Sequence, residues 1–95
     1  MKYGYVRSFV QSTEHIDQQI KLLKKFNIDE YIVEKTGHDL EDLLRKLQSG
    51  DMLHVVSIDR LSRNPETCNK IVADLLLNNI TVYVAGYPVW FRGAL

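Results

Sequence analysis

Short apolar runs alternate with stretches of helical periodicity along nearly the whole chain. Four runs are rich in β-branched and aromatic residues: 3–10, 31–34, 52–58 and 80–86. Three stretches between them repeat apolar residues every three or four positions: 16–26, 40–47 and 68–75. The first pattern is typical of strands and the second of amphipathic helices. Alternation of this kind predicts right-handed crossovers between parallel strands.

Helix start signals agree with this pattern. Ser12 or Thr13 suits the N-cap of the first helix, and Asp39 begins the second. Asn64 and Pro65 suit the N-cap and the first position of the third helix. The third apolar run is almost continuous, as expected of a strand covered on both faces. We therefore predict an α/β fold, with a single flavodoxin-like parallel sheet of about four strands and helices on both faces.

Length and composition limit the functional classes. The 95 residues suffice for one domain with one modest core. Twelve basic and twelve acidic side chains give a net charge near zero, whereas a general nucleic-acid binder is usually basic. The single cysteine, Cys68, excludes an internal disulfide and fits a reducing, cytoplasmic environment. No apolar stretch reaches the roughly 18 residues of a membrane span, so we expect no membrane partner.

Charged residues follow two of the predicted strands. Arg7 lies near the end of the first, and Asp59, Arg60 and Arg63 follow the third. Ligands bind at the carboxyl ends of parallel strands, so adjacent first and third strands would bring three arginines together. Guanidinium groups match phosphate oxygens in geometry and charge. A phosphate site and a solvated surface with a salt bridge to Asp59 both fit this pattern. No spacing of histidines or other motif predicts a metal or cofactor site.

Several segments resemble one protein family in their residues and in their order along the chain. They read GYVR, QQIKLLKKF, EKTG and LEDLLRKLQSGDMLHVVSIDRLSR. Together they are similar to the catalytic domain of the serine site-specific recombinases, the resolvase and invertase family, over about residues 2–86. The last segment is the most specific, because it contains a close variant of the family motif Asp-Arg-Leu-Gly-Arg. Asp59, Arg60 and Arg63 match that motif, Ser62 replaces its glycine, and Arg7 matches the first arginine of the family.

The resemblance implies a role in DNA recombination and integration. In that family a serine attacks a DNA phosphodiester, a 5′-phosphoserine link forms, and arginines bind the scissile phosphate. Strands are exchanged within a tetramer, so the implied partners are DNA and further copies or related recombinase subunits. We expect residues 1–95 to be a resolvase-like catalytic domain that lacks the family's long C-terminal helix and DNA-binding domain. Apolar residues near the C-terminus predict a contact surface with Trp90 at its centre.

The nucleophile does not follow the family pattern. Phe9 stands where the resemblance places the serine. Ser8 is one residue early and is predicted to point to the opposite face of an extended strand. Ser12 is an alternative nucleophile, although it also suits a helix N-cap. A second family arginine is missing, because Gly37 or His38 stands at its position.

Two functions therefore remain open. One is a serine recombinase domain that cleaves DNA, with Arg7, Ser8, Asp59, Arg60 and Arg63 as its site. The other is a non-catalytic, recombinase-derived regulatory module that binds DNA or a protein. A phosphoacceptor receiver domain is not favoured, because it needs an acidic pair after the first strand to hold magnesium.

Overall fold

The fold is one five-stranded sheet flanked by helices. The structure, a computed structural model, describes residues 1–89. Its strands and helices, numbered in chain order, are β1 Lys2–Val6, α1 Thr13–Leu23, β2 Glu30–Val33, α2 Asp39–Lys46, β3 Met52–Val55, α3 Pro65–Leu77, β4 Thr81–Val84 and β5 Tyr87–Pro88. The strand order is β2-β1-β3-β4-β5, with the first four parallel and β5 antiparallel to β4.

This order confirms the predicted α/β fold and places β1 beside β3. Tyr3 lies opposite Leu53 across that pair, so the two strand ends that carry the arginines are neighbours. The fifth strand was not predicted, because two residues give no alternating pattern to recognise. Pro88 can occupy it because β5 lies at the edge of the sheet, where a missing N–H is tolerated.

All four predicted strands end earlier than expected, and the difference is largest for β1 and β3. β1 ends at Val6, because the backbone N–H and C=O of Arg7 bond the side chain of Gln19 in α1. β3 ends at Val55, and Ile58–Arg60 instead forms a 3₁₀ turn. The polar residues that end both runs therefore lie in loops above the sheet.

The helix starts agree with the capping signals. The Ser12 hydroxyl accepts the N–H of His15 and caps α1. The Asn64 side chain caps α3, and Pro65 is its first residue. α1 ends at Leu23 rather than at Phe26, because the chain tightens there into a 3₁₀ turn, Lys24–Phe26.

The main core lies between one face of the sheet and the helices α2 and α3. The sheet contributes alternate residues that share this face: Tyr3, Tyr5, Leu53, Val55 and Val82. Leu40 and Leu43 of α2 and Val72 and Leu75 of α3 pack on them. Leu23 of α1, which is fully buried, belongs to the opposite side of the domain. Helices thus cover both faces, which leaves the carboxyl ends of the strands open.

A histidine is buried within an aromatic stack in β3. The His54 ring lies 4.6 Å from that of Tyr83 and 5.4 Å from that of Phe26, measured between centroids. His54 is 4% exposed, and neither ring nitrogen has a hydrogen-bond partner among residues 1–89. Burial lowers the pKa of His54 below its usual 6.5, and the charge of Lys2 lowers it further. The stack therefore favours the neutral imidazole.

The C-terminal part of the predicted contact surface is only partly described. Tyr87 is 77% exposed, whereas Val89 packs against the core. Trp90 and Phe91, on which that prediction centred, lie outside the described residues. None of the helices within residues 1–89 has the length and apolar character that a membrane crossing requires.

We predict that the domain loses stability as the pH falls below about 6.5. Unfolded His54 titrates near 6.5, whereas the folded domain holds its pKa lower. In the interval between the two values the unfolded chain binds more protons, so protonation favours unfolding. Urea unfolding of wild type from about pH 7.5 to 5 measures this loss, which is absent above the interval.

The matched variants are His54→Phe and His15→Gln, since His15 is exposed on α1. The first variant should lose most of the pH dependence in this range, and the second should keep it. An unchanged pH profile in His54→Phe would show that other groups cause the effect.

Candidate functional site

Arg7 is positioned by a side chain from α1. Gln19 is 6% exposed, its Oε1 accepts the Arg7 N–H at 3.2 Å, and its Nε2 donates to the Arg7 carbonyl at 2.7 Å. This paired contact replaces the ladder hydrogen bonds that end with β1. Arg7 is therefore held by its backbone, and its guanidinium is free to reach toward the loop after β3.

Buried side chains hold the loop between β3 and α3 in place. Leu61 is 2% exposed and anchors the loop in the core. The Cys68 thiol in α3 donates to the Ser62 carbonyl at 2.7 Å and lies 3.4 Å from that of Ile58. Burial is the main cause that raises the pKa of this thiol, so the neutral donor is favoured. The cysteine thus has a structural role under the arginine loop.

Arg60 joins this loop to the end of β1. Its Nη1 donates to the Arg7 carbonyl at 3.3 Å and its Nε donates to the Ser57 hydroxyl at 3.3 Å. Asp59 lies 3.8 Å from the same Nε and accepts a hydrogen bond from Ser57. Asp59 is therefore placed to orient Arg60.

The ring of Phe9 is the common contact of all three arginines. The guanidinium carbons of Arg7, Arg60 and Arg63 lie 4.7, 5.5 and 4.5 Å from the ring centroid. These are cation–π distances, each worth about 0.5–1 kcal/mol where the contact is exposed to water. The structure thus brings together the arginines that the sequence predicted to converge. The three guanidinium groups and this ring are called the Phe9 cluster below.

A carboxylate lies beside the cluster at the start of α2. Tyr5 donates its hydroxyl to Glu34 at 2.7 Å. The Glu34 oxygens also accept three backbone N–H groups at the start of α2: those of Gly37, Asp39 and Leu40. The partial positive charge of a helix N-terminus stabilises such a carboxylate. Burial, followed by the bond and charge of Glu34, raises the pKa of Tyr5, while Arg7 acts in the opposite direction.

Sequence reasoning missed this carboxylate, the tyrosine and Gln19. Glu34 directly follows β2 and therefore lies at the same sheet edge as Arg7, which was an available signal. The bond of Tyr5 to Glu34 depends on the β1–β2 register, in which Tyr5 faces Ile32.

The arginines face two different cavities. Arg7, Phe9 and Arg63 line a cleft of about 760 Å³ that lies between α2 and α3. Arg60 lines a neighbouring cavity of about 290 Å³ together with His15. Of the three arginines, only Arg7 and Arg63 therefore line the larger cavity, which is called the main cleft below.

The two candidate serines lie on another cavity. Ser8 and Ser12 line a pocket of about 540 Å³ beside α1, which the arginines do not line. The Ser8 hydroxyl accepts the Ser12 N–H at 3.1 Å, and the Ser12 hydroxyl caps α1. Both oxygens are engaged in the loop, and the structure does not bring either into the Phe9 cluster.

Comparison of the sequence with known families shows which family the domain belongs to. A family model described as the resolvase N-terminal domain matches residues 2–88. The chain belongs to the resolvase N-terminal domain family. A comparison with curated proteins found no match. The site can therefore be compared with the family pattern that the sequence resembles.

Within residues 1–89 of this resolvase domain, Arg7 and Arg63 are the arginines that line the main cleft, and none occupies the position that the resemblance assigns to a second family arginine. Gly37 lines the main cleft and has no side chain, while His38 is exposed. Arg45 is turned to the exposed side of α2, where it pairs with Asp42 at 3.3 Å. The part of the chain that the structure describes contains no group of three acidic, histidine or cysteine side chains arranged to hold a metal.

We predict that Gln19→Leu destabilises the domain by about 1–3 kcal/mol. The change keeps the volume but leaves the partly buried N–H of Arg7 without its acceptor. Gln18→Leu is the matched control, because Gln18 is exposed on the same helix. Chemical unfolding of both variants gives the comparison. Equal stability of the two would show that the Arg7 backbone does not need the Gln19 amide.

Proposed function

We propose that this resolvase-type domain takes part in DNA recombination without cleaving DNA itself. The observation that carries the proposal is the Phe9 cluster. A phenyl ring, which has no nucleophilic oxygen, contacts Arg7, Arg60 and Arg63 where the resemblance expects a serine. Attack on phosphorus needs an oxygen held about 3 Å from it and in line with the leaving group.

The remaining groups support phosphate binding more than phosphate cleavage. Arg7 and Arg63 line an open cleft and carry permanent positive charge. Ser8 and Ser12 bond within their own loop beside another pocket. The arginine that the family carries before α2 is replaced by residues without a permanent positive charge. Loss of one such donor commonly costs about 100- to 1000-fold in rate.

A non-cleaving domain would act through its partners. We infer that it holds a DNA phosphate on its arginines and joins a related recombinase subunit that supplies the serine. Its role would then be regulatory, at the level of assembly or DNA positioning. A DNA-linked role and a single free thiol both favour a cytoplasmic location.

We predict that the chain forms no covalent adduct with DNA and that Phe9→Ser alone does not restore one. Supercoiled plasmid incubated with wild type or Phe9→Ser, then run on a denaturing gel, should show no protein attached to a 5′ end. Ser8→Ala and Ser12→Ala are the matched variants for the two candidate nucleophiles. An adduct of the wild type that either variant abolishes would overturn the proposal and identify the nucleophile.

Non-covalent binding is measured in parallel. Plasmid retention under native conditions should fall in Arg63→Gln and should be unchanged in Arg45→Gln. Arg45 is the control because its side chain is 75% exposed on α2 and is not among the side chains that line the cleft. Equal retention by both variants would count against a phosphate contact in the cleft.

A further inference from the structure

The main cleft has a cationic end and an apolar wall. Arg7, Phe9 and Arg63 form the cationic end. The wall is built from aliphatic side chains of the core and of the two flanking helices: Leu40, Leu44, Leu61 and Ile71. Its volume of about 760 Å³ falls within the range of sites that hold small organic ligands. A phosphate alone would occupy a small part of this space and would leave the partly exposed side chains of Leu44 and Ile71 in contact with water.

The cationic end has donors available for a phosphate. Arg63 is exposed and makes no hydrogen bond or ion pair with any residue in the range 1–89. Its contact with Phe9 arises from the attraction between a cation and the face of the ring, which uses none of the guanidinium N–H groups. These N–H groups can therefore donate to phosphate oxygens.

The apolar wall suits a nucleobase that is not paired. Bases in a duplex are stacked and paired, so a protein reaches only their edges. An unpaired base can leave the stack and lie against apolar side chains or guanidinium planes. Leu44 of α2 and Ile71 of α3 line the cleft, and both side chains are partly exposed. A base that lies against them would cover the exposed part of this apolar surface.

The charge of the domain also favours a small part of a strand over a duplex. Binding of duplex DNA usually relies on many cations that neutralise successive phosphates. This chain has twelve basic and twelve acidic residues, and two acidic side chains, Glu34 and Glu41, line the cleft itself. Two arginines in one cleft are suited to one or two phosphates.

We propose that this cleft takes an unpaired nucleotide of a DNA strand. The phosphate lies on Arg7 and Arg63, and the base lies against the wall formed by Leu44 and Ile71. The inference rests on the proposed function only for the phosphate contact of the arginines. It adds that the domain recognises single-stranded or unpaired DNA, such as a strand end.

The test compares two single strands with equal numbers of phosphates and a duplex of the same length. Fluorescence anisotropy is measured for a short labelled single strand of thymidines, the same strand without bases, and the corresponding duplex. The thymidine strand should bind about tenfold more tightly than the strand without bases, since burial of roughly 60 Å² of apolar surface corresponds to about this difference. It should also bind more tightly than the duplex.

Three variants test which end of the cleft binds the phosphate and which end binds the base. Leu44→Gln should remove the advantage of the bases, Arg63→Gln should weaken binding of both single strands, and Arg45→Gln should change neither. The probe comparison uses the wild-type chain, so it holds even if Leu44→Gln fails to fold.

Each negative result has a different consequence for the nucleotide inference and for the proposed phosphate contact. Equal affinity for strands with and without bases, or tighter binding of the duplex, would overturn the nucleotide inference and leave the phosphate contact intact. Absence of binding to every probe would overturn both the inference and the phosphate contact of the proposed function. The covalent-adduct gel tests cleavage separately.

Discussion

The functional edge of the domain depends on how three like charges are held close together. Arg7 and the pair Arg60 and Arg63 come from two neighbouring strands, and their guanidinium groups repel one another. The ring of Phe9 lies among all three and attracts each through its face. Gln19 fixes the backbone of Arg7 below this contact. An aromatic residue at position 9 thus holds the arginine cluster together through a side chain that carries no oxygen.

The sheet could be predicted largely because its signals are local. Periodicity separated strands from helices, and Ser12 and Asn64 marked two helix starts through the ordinary capping geometry. The strand ends were harder to predict, since the backbone of Arg7 leaves the ladder for a side chain twelve positions away. The antiparallel β5 escaped prediction for a similar reason. Only its pairing with β4 defines so short a strand.

The candidate site was predictable in position more than in chemistry. Topology alone brings residues after β1 and β3 to one edge, so the arginines could be expected to meet. The cation–π contacts of Phe9 could not be expected, because they depend on how the turn after Ser8 directs the ring. The bond between Tyr5 and Glu34 joins two strands whose register the sequence does not reveal. The family resemblance located Arg7, Arg60 and Arg63, but it assigned no role to a phenylalanine at position 9.

The Phe9 cluster can be observed directly by nuclear magnetic resonance of the arginine Nε–Hε groups. If one ring contacts three guanidinium groups, ring currents should shift the Hε signals of Arg7, Arg60 and Arg63 upfield, and Phe9→Leu should return all three toward the position of the exposed Arg45. If Phe9→Leu moves none of these signals, the ring does not organise the arginines, and the account of the Phe9 cluster would be contradicted.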